Sequence, residues 1–333
     1  MIKDLQYVQG FLKDRKETSY LSLMVMLFLS QQGQAQMVNK GDLKVANNTI
    51  LSVYMDYDNE ATGSFINDGE VYSFQNYHND GVITYSTNSA GVTYFTGEKE
   101  QAITGSQTAD FQNLVFDNIS ALTPFKLQTT IAVGNNADFK NGIVNAIDPA
   151  REGKMIFKEN AKHSFTGDQS FVDGKVQKIG NDRFEFPVGN ELVYRPSLHD
   201  IASDPGNVYT TQYFNKNSDD VVKNDQKLYP HTSKQDDILT INNREYWQIT
   251  KDQGEEKIIL SLTLKQGVTP SDFFTENTDT ELAIVRWDEN QAKWVNDHGA
   301  VSDPVSDLNY SKLLSAQVGG YGIFTMAIVK KTP

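Results

Sequence analysis

The feature that most constrains this chain is the close spacing of Gly, Asn and Asp between about residues 42 and 160. Corners such as Asn67-Asp-Gly69 and Asn79-Asp-Gly81 separate short apolar segments such as 70–74 and 111–116. Asn and Asp tolerate positive φ better than other non-glycine residues, so these positions suit tight corners. A helical period of 3.6 residues is missing here. The pattern therefore predicts an all-β structure with strands of roughly three to six residues.

Two architectures fit this pattern. Asn-Gly and Asp-Gly are the preferred pairs of type I′ hairpin turns, which favour an antiparallel meander or sandwich. The same corners also suit a parallel β-solenoid, in which every coil consists of several short strands. The dense glycines and the similar segments 65–69 and 77–81, twelve residues apart, favour the solenoid. We therefore predict a right-handed parallel β-solenoid over residues 37–162.

The remaining residues, 163–333, have longer apolar segments at the spacing typical of a β-sandwich. In the stretch Gly180-Asn-Asp-Arg-Phe-Glu-Phe-Pro-Val-Gly-Asn190, Phe184 and Phe186 alternate with charged residues and are expected to point inward. We interpret Gly180-Asn181 as a hairpin turn and Pro187 as the end of a ladder, because proline has no N–H to donate. The predicted fold is thus a solenoid followed by a β-sandwich.

Residues 1–36 have the three parts of a signal peptide. Basic residues at positions 13, 15 and 16 precede an apolar run over 20–29, and small and polar residues follow to position 36. The apolar run is too short to span a bilayer, which takes about 20 residues. We predict cleavage before Met37, with an uncleaved N-terminal anchor as the alternative. No second apolar run approaches spanning length, so no transmembrane segment is expected in the mature chain.

Charge and cysteine content exclude several classes of function. The chain of 333 residues has a formal net charge of −13 and no cysteine. An acidic surface repels phosphate backbones, so nucleic-acid binding is not expected. Disulfides and thiolate metal sites are impossible, and the core and the backbone ladders must hold the fold together. The charge suits a protein outside the cell that binds at most a few divalent cations.

One set of motifs resembles a known family. Phe171-Val-Asp-Gly-Lys-Val176, Phe184-Glu-Phe-Pro-Val-Gly-Asn190, Tyr194-Arg-Pro196 and Glu245-Tyr-Trp247 resemble a module widespread in large surface proteins of gliding, type IX-secreting bacteria. The resemblance covers roughly residues 42–330 and implies an exported cell-surface or extracellular protein with an adhesive or scaffolding role. It implies no catalytic residues. These proteins often end in a dedicated C-terminal sorting domain, whereas the end of this sequence is predicted to be a last sandwich strand, so a periplasmic location is the alternative.

The best candidate metal ligands are Asp56, Asp58 and Glu60. Alternate carboxylates next to Asn59 could hold Ca²⁺, which takes six to eight oxygen ligands in flexible geometry. A solvated acidic corner is the alternative interpretation. No other cofactor is expected.

The sequence gives little support for catalysis. None of the four acids Asp110, Asp117, Asp138 and Asp148 has a close carboxylate neighbour backed by Arg or Lys, which a solenoid carbohydrate lyase or hydrolase needs. Four tyrosines could form an aromatic strip for sugars, or could stack between coils: Tyr72, Tyr77, Tyr85 and Tyr94. We therefore predict a non-catalytic surface protein whose partner is an envelope or surface protein or a glycan. A carbohydrate-binding or carbohydrate-active solenoid is the alternative.

Overall fold

The all-β prediction is confirmed. A computed structural model describes residues 35–148, 151–254, 257–275, 277–304 and 309–331. Strands account for 54% of the residues and helices for 2%. The predicted signal peptide lies almost entirely outside the described residues. Residues 37–333 form one compact unit, and all that follows concerns this unit and the strand that begins at Gln36.

A β-solenoid of about 6 turns occupies residues 36–178. Its first turn consists of β1 (Gln36–Asn39), β2 (Asp42–Val45) and β3 (Ile50–Val53), the second of β4 (Asp56–Asn59), β5 (Ser64–Asn67) and β6 (Glu70–Ser73), and the third of β7 (Tyr77–Asn79), β8 (Val82–Thr84) and β9 (Val92–Gly97). The fourth turn consists of β10 (Gln101–Gly105) and β11 (Ala109–Asn118), the fifth of β12 (Phe125–Leu127) and β13 (Thr130–Asn141), and the sixth of β14 (Val144–Asn145), β15 (Lys154–Phe157) and β16 (Lys162–Ser164).

The strands form three parallel ladders, which we call faces 1, 2 and 3. Face 1 contains β1, β4, β7, β10, β12 and β14. Face 2 contains β2, β5, β8, residues 109–111, residues 130–133 and β15, and face 3 contains β3, β6, β9, residues 113–118, residues 136–141 and β16. Parallel pairing of successive turns excludes the antiparallel meander for this region.

Buried asparagines connect the first three turns. Asn39 donates to Asn59 Oδ1, and Asn59 in turn donates to Asn79 Oδ1, both at 2.8 Å. The three residues lie at the end of face 1 and are at most 8% exposed. Because each amide both donates and accepts along the stack, these buried polar groups are satisfied by their neighbours and fix the register between turns.

An aromatic stack fills the interior. Tyr77 contacts Tyr57 on the turn before and Phe95 on its own turn, with ring centroids 4.8 and 5.4 Å apart. Phe116 continues the stack between Phe95 and Phe139. Alternation along each short strand places these rings inside, so every turn buries its apolar face against the next.

The remaining strands form antiparallel pairs or complete the solenoid. They are β17 (Val172–Asp173), β18 (Lys175–Ile179), β19 (Phe184–Phe186), β20 (Val188–Asn190), β21 (Val193–Tyr194), β22 (Ser197–His199), β23 (Val208–Phe214), β24 (Val222–Lys223), β25 (Gln226–Lys227), β26 (Ile238–Ile241), β27 (Tyr246–Gln253), β28 (Ile259–Leu264), β29 (Thr280–Asp288), β30 (Lys293–Asn296), β31 (Ala300–Ser302), β32 (Lys312–Gln317) and β33 (Gly322–Lys330). Two 3₁₀ helices cover Ser218–Asp220 and Ser271–Phe274.

Parallel pairing extends beyond the boundary predicted at residue 162. β17 and β18 pair in parallel with β14 and β15 and begin a further turn. β18 then pairs antiparallel with β23, so that face 2 continues into a sheet that includes β27, β33, β29 and β30. A second antiparallel sheet has the order β19-β22-β28-β32-β31. Both sheets contribute side chains to the hydrophobic cluster that also fills the solenoid.

The stretch at 180–196 differs from our interpretation in one respect. Gly180 and Asn181 do not form a hairpin, because β18 and β19 belong to different sheets. The hairpin instead joins β20 and β21, and its turn residues Glu191 and Leu192 have φ values of 50° and 66°. Phe184 and Phe186 point inward as predicted.

A buried ion pair connects the two antiparallel sheets. Arg195, just before β22, donates from Nε and Nη2 to the carboxylate of Glu245 at 2.7 and 2.9 Å. Both side chains have no exposed surface. Arg195 also donates to Thr263 Oγ1 on β28, and its carbonyl accepts from Trp247 Nε1 on β27. The Tyr-Arg-Pro and Glu-Tyr-Trp motifs therefore meet in the core, which the sequence did not reveal.

Replacing Glu245 by Ala should destabilise the protein by about 3–5 kcal/mol, because it leaves the Arg195 guanidinium buried without its counter-charge. The free energy of unfolding from urea titration measures the change. Replacing both residues with Arg195→Met and Glu245→Leu should cost less than the single substitution, since no unpaired charge remains.

Glu100→Ala is the matched control, because Glu100 pairs with Lys126 on the solvent-exposed surface. We expect a change of about 1 kcal/mol or less for this pair. Equal losses for Glu245→Ala and Glu100→Ala would show that the buried pair does not stabilise the contact between the sheets.

Stability should also fall in acid because of His199. This residue on β22 is 3% exposed, and neither ring nitrogen has a hydrogen-bond partner among the described residues. Burial lowers the pKa of His199 to about 3. The unfolded chain takes up a proton at this residue below about pH 6.5, and the folded chain does so only near pH 3, so stability is lost as the pH falls across that window.

We expect His199→Leu to remove part of this pH dependence. The free energy of unfolding of the wild type should fall by about 2–3 kcal/mol more than that of His199→Leu between pH 7 and pH 4.5. Urea titrations at several pH values measure it. His298→Asn, at an exposed corner with φ of 62°, is the control for replacing a histidine that is not buried. If the unfolding free energies of the wild type and His199→Leu depend on pH in the same way, His199 is not the cause of the loss of stability in acid.

Candidate functional site

The predicted Ca²⁺ ligands lie on the outside of face 1. On β4 the burial alternates, so that Asp56 and Asp58 face outward while Tyr57 and Asn59 face inward. Asp56 accepts a hydrogen bond from the Asn76 backbone at 3.1 Å, and Glu60 forms an ion pair with Lys40 at 2.9 Å. Within the described ranges, no group of three His, Asp or Glu side chains is placed to hold a metal ion. Ca²⁺ binding by Asp56, Asp58 and Glu60 therefore stays a prediction from sequence.

The four tyrosines do not form one strip. Tyr77 is buried inside the solenoid, and Tyr85 lies beside Lys158 on another part of the surface. Tyr72 and Tyr94 are register partners on face 3, and their rings stack with centroids 4.3 Å apart and an interplanar angle of 1°. Because their faces contact each other along the stack, the edges point outward. Sugars stack on ring faces, so this pair is a poor platform for them.

Asp110 does have a basic neighbour, which the sequence analysis missed. Lys158, two turns further along face 2, forms an ion pair with Asp110 Oδ2. Burial alone would lower the pKa of Lys158, but its hydrogen bond to Asp110 and the Asp110 charge outweigh burial and raise it. Tyr85 packs over Gly134 beside this ion pair, and a Cβ at Gly134 would lie 2.0 Å from the Tyr85 hydroxyl oxygen, so only glycine leaves room for that ring. A lysine that stays protonated cannot act as a general base.

His78 belongs to a chain of polar groups that has the composition of a catalytic triad. Its Nδ1 lies 2.8 Å from Thr104 Oγ1, and its Nε2 lies 3.0 Å from Asp80 Oδ2. Asp80 also accepts from the backbone and hydroxyl of Ser106, and these contacts, with the hydrogen bond from His78, lower its pKa to about 2. The imidazole and carboxylate side chains are 37% and 38% exposed on the outside of face 1. Solvent reaches them freely, so we interpret the chain as a contact between turns.

Asp68 and Asp80 have the same role at corners of successive turns. Asp68 accepts from the Ser86 backbone and hydroxyl at 2.7 Å, as Asp80 does from Ser106 one turn further on. The similar segments 65–69 and 77–81 are therefore equivalent corners on neighbouring faces. Each aspartate therefore connects its corner to the next turn through hydrogen bonds from a serine.

The strongest candidate for a binding site is a polar groove where the parallel and antiparallel parts of the sheet meet. This junction groove has a volume of about 380 Å³ and lies on the outer side of four neighbouring strands. It is lined by Lys154 on β15, Lys175 and Gln177 on β18, Thr210 and Gln212 on β23, and Gln248 and Asp252 on β27.

Hydrogen bonds between strands organise the floor of the junction groove. Gln177 Nε2 donates to Thr210 Oγ1 at 3.1 Å and to Asp252 Oδ2 at 2.8 Å. Lys154 Nζ donates to Gln177 Oε1 at 3.3 Å. These contacts join residues up to 75 positions apart in sequence, so no local pattern in the sequence could have identified the groove.

Comparisons with known proteins found no match for this chain. No family model matches it, and no curated protein or solved structure is significantly similar to it. In the part of the chain that the structure describes, no helix has the length and apolarity needed to cross a bilayer. The function must therefore be argued from the geometry of the solenoid and the junction groove.

Proposed function

We propose that this protein is exported and acts as a non-catalytic adhesive or scaffolding protein on the cell surface or outside the cell. The observation that carries the proposal is the use of outward polar side chains to connect turns. Asp68 binds Ser86, Asp80 binds Ser106, and Lys158 binds Asp110. Side chains held in this way stiffen the solenoid and are not free to react.

A solenoid of this kind is long for the number of residues that it contains. At a strand spacing of about 4.8 Å, 6 turns extend roughly 29 Å. Each turn contacts only its neighbours, so length is added without a larger globular core. We propose a right-handed coil followed by a β-sandwich formed by the two antiparallel sheets, in keeping with the resemblance to surface proteins of gliding, type IX-secreting bacteria.

Export is the second part of the proposal. It rests on the signal-like sequence of residues 1–36, with the periplasm as an alternative location. The proposed partner is an envelope or surface protein, or a glycan. Because the chain lacks cysteine, its stability outside the cell does not depend on disulfides.

The alternative, a carbohydrate-active enzyme, is favoured by one observation. Asp110, Lys158 and Tyr85 are close together on the solenoid surface, and acids beside a lysine and a tyrosine are groups that sugar chemistry can use. Against it, the raised pKa of Lys158 keeps the amine protonated. We therefore keep catalysis as the second candidate.

Fractionation of the cells that encode the protein tests the first proposal. We expect the mature chain to begin at Met37 and to be cleaved by protease added to intact cells. Loss of the gene should reduce attachment of the cells to surfaces or to one another. Recovery of the protein in the cytoplasm with residues 1–36 intact would contradict export.

Incubation of the purified protein with a polysaccharide panel separates the two candidates. We expect no reducing ends and no unsaturated products above those made by a denatured sample. Turnover that is lost in Asp110→Asn or Lys158→Met, with the fold intact by circular dichroism, would reverse the ranking.

A further inference from the structure

One side chain in the junction groove lacks a partner. Gln212 on β23 is 8% exposed and lines the groove, and its amide makes no hydrogen bond to any described residue. Neither polar atom of this amide is fully buried, so both are open to the groove and available to a ligand. Gln248, its register partner on β27, is exposed beside it. The two amides offer both donors and acceptors to a ligand that lies in the groove.

Positive charge lies at the other end of the groove. Lys154 and Lys175 are register partners on neighbouring strands of face 2. Lys175 forms an ion pair with Glu152, whereas Lys154 reaches only the neutral oxygen of Gln177 among the described residues. Gln177 separates Lys154 from Asp252, the acid of the groove, so Lys154 forms no direct ion pair among the described residues. Lys154 therefore provides a place for one negative group of a ligand.

The shape and polarity of the groove favour a glycan over a peptide. The floor crosses four strands whose backbone groups are already paired, so a peptide cannot add as a further strand. The lining is rich in amides, hydroxyls and charged groups, with no aromatic pocket for a side-chain anchor. Sugar hydroxyls both donate and accept, and they match the amides of Gln212 and Gln248, which line the groove.

We propose that the junction groove binds an acidic polysaccharide that carries carboxylates, with Lys154 and Lys175 on a uronate group and Gln212 and Gln248 on the hydroxyls of the neighbouring sugar. Asp252, at the far side of Gln177, accepts from a further hydroxyl. The inference rests on the proposed function in that it names the ligand class of an adhesive protein.

The purified protein is tested by affinity electrophoresis in gels that contain polygalacturonate, dextran, dextran sulfate or poly-glutamate. We expect retardation by polygalacturonate and much weaker retardation by the other three. Gln212→Leu and the pair Lys154→Met and Lys175→Met should each weaken binding about tenfold or more. Gln212→Leu removes a side chain that makes no hydrogen bond to the described residues, so the variant should keep the wild-type circular dichroism spectrum.

The pair Lys140→Met and Lys162→Met is the charge-matched control. Both lysines are exposed on face 3, away from the groove, and their loss should leave binding unchanged. No retardation by polygalacturonate, equal binding by wild type and Gln212→Leu, or equal retardation by dextran sulfate or poly-glutamate would each overturn the proposal.

The failure of this inference and the failure of the proposed function give different results. A protein that is exposed on cells and needed for attachment but binds no polyuronate would overturn only the inference. A protein that binds polygalacturonate through Gln212 but stays in the cytoplasm would support the groove and overturn the surface role.

Discussion

The constraint on which the rest of this structure depends is the open end of a parallel ladder. A solenoid that simply stops leaves a row of unpaired backbone N–H and C=O groups, which can pair with other chains. Here β23 pairs antiparallel with β18, with Thr211 opposite Val176, and β27 continues the sheet. The change from parallel to antiparallel pairing therefore removes the edge on face 2. It also fixes where the C-terminal sheets lie, and it brings Gln177, Thr210 and Asp252 side by side to form the junction groove.

The buried Arg195–Glu245 pair acts on the same junction. Burial of two charges carries a large desolvation cost, and the cost is offset only when every donor and acceptor is satisfied. Arg195 binds Thr263 on one sheet, and Glu245 accepts from Tyr213 on the other. A different relative position of the two sheets would leave at least one charge unpaired. We therefore interpret the pair as a device that selects one arrangement of the sheets, and only secondarily as a source of stability.

The sequence predicted the all-β class and the parallel solenoid because both depend on local chemistry. Positive φ occurs at Asn48, Asn88 and Asn160, as Asn-rich corners predict. It does not occur at the corners 67–69 and 79–81, where Asn67 and Asn79 instead donate hydrogen bonds to the next turn. The spacing between turns was harder to predict, because the twelve-residue repeat joins corners on different faces, whereas the asparagine ladder repeats every 20 residues. The hairpin at Glu191 and Leu192 shows tertiary contacts imposing positive φ on residues without that preference. Asp110 and Lys158 lie 48 residues apart. Because the corners between them differ in length, the sequence spacing did not predict their contact.

Stacking of turns also decides which outer surfaces can bind a ligand. Where the same residue type recurs at register positions, neighbouring side chains bind one another, as the rings of Tyr72 and Tyr94 do. Such a surface is regular and stiff, but its best binding groups already face each other. At the junction the strand direction reverses, and unlike residues become neighbours, with lysines on β15 and β18 beside amides on β23 and β27. Gln212 makes no hydrogen bond to a described side chain there, so the break in the repeat leaves its amide open to the groove. A ligand site in a protein of this design is therefore expected at the end of the solenoid and not along its length.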